Sequence, residues 1–232
     1  MKKSALYLVG VMMMGLVVVA GSCSKKNDVG SGLLMIVNAS PAFGPLDVNI
    51  DSKLVSGSGL ASPGNTAYAP ILEGSHQVRV LNVGGTTNLV SLTLTTVANA
   101  NQSLYFYDRP SSIQQFAVED NYSTPTAGQC NIRFFNLAPS TPQLDLGTVS
   151  GATFTPLYTS RGFEVSTNAA TNAVFTSIAA GTYNFDMRVN GTGASIATAN
   201  NVVLQSGKTY TIYARGISGS LVSPLGLTVI EH

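Results

Sequence analysis

The feature that most constrains this chain is that it is written twice. Ile36-Val37-Asn38-Ala39-Ser40-Pro41, then Leu46-Asp47-Val48, recurs as Phe134-Phe135-Asn136-Leu137-Ala138-Pro139, then Leu144-Asp145-Leu146. Asn38 and Asn136, Pro41 and Pro139, and Asp47 and Asp145 share one spacing of 98 residues. Gly74-Ser75-His76 returns as Gly181-Thr182-Tyr183, and Tyr105-Phe106-Tyr107-Asp108-Arg109 returns as Thr211-Ile212-Tyr213-Ala214-Arg215. Such a repeat calls for two like units, the second with longer loops.

Each unit reads as β. In residues 183–190, Tyr183, Phe185, Met187 and Val189 fall on one face and Asn184, Asp186, Arg188 and Asn190 on the other, the period-2 pattern of a half-buried strand. Further strands are predicted at 33–38, 46–50, 75–83, 89–95, 104–109 and 113–119, and at 130–136, 174–178, 196–204, 209–215 and 225–230. Asp51-Ser52, Gly84-Gly85, Asn190-Gly191 and Ser206-Gly207 provide the turns between them. About seven short strands in about 90–100 residues make an immunoglobulin-like sandwich with a core of its own. The expected fold is therefore all-β, two tandem immunoglobulin-like antiparallel β-sandwiches at residues 32–120 and 129–232. Residues 121–128, with Pro125, Gly128 and little apolar character, are the expected linker.

Lys2 and Lys3 precede an uncharged apolar run that ends in Ala20-Gly21-Ser22-Cys23, the layout of a secretory leader at residues 1–22. Ala20-Gly21-Ser22-Cys23 resembles a bacterial lipobox, which implies that Cys23 takes a lipid and becomes the first residue of the mature chain. Residues 23–31 then form a polar tether. The implied address is the envelope of a Gram-negative bacterium, at the outer membrane. With Cys23 acylated, Cys130 is left without an intramolecular partner and is expected to be a small buried hydrophobe.

Asn38-Ala39-Ser40-Pro41, Leu46-Asp47-Val48-Asn49-Ile50-Asp51, and Gly74 leading into Val78-Arg79-Val80 are similar to the domain-of-unknown-function family DUF4397. That family is found in secreted and lipid-anchored bacterial proteins, often in tandem, and the resemblance implies no catalytic residues.

Reactive chemistry is sparse. Twelve Lys and Arg against eleven Asp and Glu leave a formal charge of +1, which excludes an electrostatic grip on nucleic acid. His76 and His232 are the only histidines; His76 takes the place of the aromatic Tyr183, and His232 is the last residue. Glu119 and Asp120 are neighbours on a strand and face opposite ways, so they make no acid–base pair. Asp47, Asn49 and Asp51 resemble the opening of a calcium loop, but Ser52 and Ser58 stand where Gly and Glu are needed, and turn capping is the expected role. No cofactor, no metal and no enzymatic activity are expected.

What remains is surface. With Leu104 and Phe106 facing in, Tyr105, Tyr107 and Arg109 are predicted to face out, matched in the second copy by Tyr213 and Arg215. Tyr and Arg are enriched at binding hot spots, so these five are the candidate ligand surface, against a plainer role in ordinary cross-strand pairing or in packing on an interdomain contact. The function expected is a non-enzymatic, lipid-anchored envelope protein, held to the membrane through Cys23, whose two sandwiches bind or position another macromolecule, an unknown protein or glycan. Glycan or small-ligand binding and a pilus-like subunit built by strand donation are the alternatives.

Overall fold

The computed structural model describes residues 29–41 and 44–232. The leader, Cys23 and most of the tether lie outside the described residues. The first copy contains β1 (Ser31–Asn38), β2 (Leu46–Ile50), β3 (Lys53–Leu54), β4 (Gly64–Asn65), β5 (Ala69–Leu72), β6 (Gly74–Asn82), β7 (Asn88–Thr96), β8 (Asn101–Tyr107) and β9 (Gln114–Glu119). The second contains β10 (Gln129–Asn136), β11 (Leu144–Ser150), β12 (Thr153–Arg161), the short helix α1 (Ser166–Asn172), β13 (Thr176–Ala179), β14 (Gly181–Val189), β15 (Ser195–Leu204), β16 (Thr209–Arg215) and β17 (Gly226–Glu231).

Each copy is a two-sheet sandwich. In the first, β4 and β5 pair with β1, which continues to β8 and β9, and this sheet faces β3-β2-β6-β7. In the second, β13-β10-β16-β17 faces β12-β11-β14-β15. The all-β sandwich architecture is as expected with one correction: the sheets are not wholly antiparallel, because β1 runs parallel to β8 and β10 parallel to β16. The reason lies in the chain path, since the first strand of each copy is captured beside a late strand through a long crossover rather than by a hairpin.

Four sheets stack with three apolar layers between them. Leu34, Ile36, Val48, Val80, Leu104 and Phe106 belong to the first sandwich's own core. Ile132, Phe134, Leu146, Met187 and Ile212 do the same in the second, with Cys130 buried among them. The third layer joins the copies: Met35, Val37, Tyr105, Tyr107, Phe116 and Val118 pack against Phe135, Leu137, Tyr213, Ile230 and Ala169 of α1. β1, β8, β10 and β16 are thereby buried on both faces, which is why Leu34-Met35-Ile36-Val37 and Leu104-Tyr105-Phe106-Tyr107 are unbroken apolar runs instead of alternating ones.

A buried interface and an open cleft

The strand phase expected for β8 holds, but its consequence does not. Leu104 and Phe106 point into the first sandwich, while Tyr105, Tyr107 and Tyr213 point the other way and are fully buried, at 0% exposure. The second sandwich covers the face that a lone domain would display, so the three tyrosines leave the candidate ligand surface. Tyr107 packs edge-on against Phe116 at 5.4 Å and donates its hydroxyl to the Glu164 carbonyl at 2.9 Å. Arg109 and Arg215 are half-buried. Arg109 reaches Ser140 of the second copy at 2.9 Å, and Arg215 bonds Thr228 across β16 and β17 at 2.8 Å.

The interface also holds charges. Arg133 of β10 and Asp120, the residue after β9, form an ion pair at 2.5 Å with both side chains fully buried. Asp120 also accepts hydrogen bonds from Tyr68 and Ser103, both at 2.6 Å. Arg133 donates to Tyr105 at 3.0 Å and to Thr211 at 2.7 Å, and its guanidinium lies over Phe175 and Phe135. His232, the last residue, is lodged here, with Nδ1 at 2.8 Å from Tyr68 and Nε2 at 2.6 Å from Thr211. Nothing in the sequence marks these partners, which come from distant segments of the chain.

Burial beside this layer brings a carboxyl and an imidazole to pKa values between about 4 and 7. Burial pushes the Glu164 carboxyl up to about 7 from an ordinary 4.5, against the lowering influence of Asn172 and Arg161. Burial and the Arg133 charge push His232 down to about 4 from 6.5, against the influence of Asp120. Between pH 4.5 and 7 the unfolded chain loses the Glu164 proton first, so this group makes stability fall as pH rises. Between pH 6.5 and 4 the unfolded chain gains the His232 proton first, so that group makes stability fall as pH falls. Glu164→Gln removes the first slope alone. Denaturant titrations should show the variant gaining on the parent as pH rises through that window, by at most about 1.4 kcal/mol per pH unit. A constant difference would mean that Glu164 ionises normally in the fold.

The other notable feature is a cleft of about 630 Å³ at one edge of the first sandwich, within the range of small-ligand pockets. Leu34, Ile36, Ile50, Val55 and Ile71 give it an apolar floor, and Asp51, Lys53 and His76 stand at its rim. The rim is built on the turn between β2 and β3, where Asp51 and Ser52 both take positive φ, at 49° and 69°, as a tight hairpin turn requires. Asp51 holds that conformation through its carboxylate, which accepts from the Gln77 N–H at 2.9 Å and meets His76 Nδ1 at 2.6 Å. His76 Nε2 lies 2.8 Å from the Leu72 carbonyl. Both ring nitrogens thus face acceptors, which is the setting of an imidazolium, and the Asp51 hydrogen bond holds the His76 pKa above its ordinary value.

Asp47 accepts from the Gly84 N–H, and Asp145 from the Ser160 N–H and Asn190. These carboxylates cap turns, and among the described residues no group of three or more His, Cys, Asp or Glu is placed to hold a metal ion.

No curated protein matches the chain. Among solved structures, a family 26 carbohydrate-binding module of Eubacterium rectale Amy13K, solved in complex with maltoheptaose, matches at 12% identity and a TM-score of 0.25, covering 86% of this chain and 97% of that one. The family described as "Domain of unknown function (DUF4397)" matches residues 32–147, which span the first sandwich and the landmarks that open the second. With half its length so matched, and those same landmarks carried twice, this chain belongs to the DUF4397 family.

Proposed function

We propose that the chain is a non-enzymatic, lipid-anchored protein of a bacterial envelope whose two sandwiches act as one body that binds or positions a partner at the membrane surface. The observation that supports this reading is the third apolar layer with its buried Arg133–Asp120 pair. Interdomain contacts that hinge are small and polar, whereas a large apolar one holds its domains at a fixed angle. A fixed pair of sandwiches suits presentation of a surface at a set distance from the membrane.

The anchor is the part to test first. Cys23→Ala should move the protein from the membrane fraction to the soluble fraction and abolish the mass added by acylation. Two or more acyl chains are expected on the parent, since one alone holds only marginally. Unchanged partition of the variant would overturn the anchor.

A further inference from the structure

The two copies differ at the cleft, and the difference identifies what fits it. In the second sandwich β12 runs along the whole of β11, from Thr153 opposite Ser150 to Arg161 opposite Leu144, and places Tyr158 opposite Leu146. Tyr158 is buried in that sandwich's core, against which Ile178 and Tyr183 also pack, and its hydroxyl donates to the Ile132 carbonyl at 2.7 Å. Ile132, Ile178 and Tyr183 are the repeat counterparts of Leu34, Ile71 and His76, all of which line the first sandwich's cleft. There the matching strand is broken. β3 is two residues long, Val55 bonds Val48 at the register where Tyr158 faces Leu146, and Ser56-Gly57-Ser58-Gly59 follows before Leu60 rejoins β2 beside Leu46. The first copy therefore lacks an aromatic side chain at that register; Tyr68, which also lines the cleft, has its hydroxyl held by Asp120 and His232.

We infer that the cleft of the first sandwich receives an aromatic side chain from an extended peptide of another chain, the ring taking the place of the Tyr158 ring in the second sandwich while the peptide backbone lies outside β3. An extended peptide is favoured over a free small molecule because the second copy delivers its ring on a strand, and because β3 pairs with β2 alone and leaves its outer edge open beside the mouth. The opposite lip, β5, carries Pro70 and has one donor fewer, so the added strand pairs at the Lys53–Leu54 side.

The probe is a fluorescein-labelled synthetic peptide of residues 153–161 of this chain, added to the full-length protein and followed by anisotropy. Saturable binding is expected, weakened at least tenfold when the peptide carries Ala in place of its tyrosine. Val55→Tyr, which rebuilds the second copy's closure in the first, should weaken binding at least tenfold while keeping a cooperative melt. Ala67→Phe at the mouth gives the same reading should Val55→Tyr fail to fold. Absence of binding by the parent protein, equal binding of the Ala peptide, or full binding by a folded Val55→Tyr or Ala67→Phe variant would each overturn the inference. Binding of N-acetyltyrosine amide as tight as that of the peptide would also overturn it, by making the occupant a small phenol.

Discussion

Asp120→Ala is expected to cost about 3–5 kcal/mol, because it strands a buried guanidinium whose one anionic partner among the described residues is that carboxylate. Arg133→Met should cost less, since Asp120 keeps two hydroxyl donors, Tyr68 and Ser103. The double variant should be more stable than Asp120→Ala alone, because the charge and its counter-charge then leave the interface together. Guanidinium denaturation of the four proteins closes the cycle, with a coupling of about 1–3 kcal/mol expected for groups in direct contact. A loss below about 1 kcal/mol for Asp120→Ala would mean that water reaches Arg133 in solution and that the sandwiches part.

Tyr107→Ala carries the second large effect, about 3–5 kcal/mol, as for any fully buried aromatic ring that is removed without collapse of its site. The ring is held between Phe116 and Phe163, at 5.4 and 5.5 Å, so the cavity would lie between two rigid neighbours. Tyr107→Phe should cost only about 1 kcal/mol, the net worth of the bond to the Glu164 carbonyl. Near-neutral behaviour of Tyr107→Ala would return the ring to the surface and restore it as a ligand contact.

The strands with strict alternation, such as β14, and the landmark turns were legible because half-burial writes a period of two into the sequence. The orientation of Tyr105 and Tyr107 was legible for the same reason; their environment was not. The overlooked signal was the absence of alternation in Leu104-Tyr105-Phe106-Tyr107, which marks a strand covered on both sides. β12 escaped because Pro156 interrupts it and Tyr158 is the one buried residue along its length. α1 escaped because Ser-Thr-Asn-Ala-Ala-Thr-Asn has weak helix propensity and is held by packing through Ala169. Asp120, Arg133, Tyr68 and His232 were illegible as a group, since Tyr68 and His232 meet across 164 residues of chain. The cleft was equally hidden, because it depends on a residue that one copy has and the other lacks.

The parallel pairing of β1 with β8, and of β10 with β16, imposes an order of assembly on a chain made from its N-terminus. β1 has no sheet neighbour on that side until β8 emerges, Leu33 waiting for Asn101. Long-range closures of this kind are slow compared with hairpins. When β8 does arrive, Tyr105, Tyr107 and Phe116 form a sticky face whose cover, Phe135 and Tyr213, is still to be made. The half-finished protein is consequently more prone to aggregate than either the nascent strand or the finished pair. Truncations that end near residue 120 are the forms that would need a chaperone most.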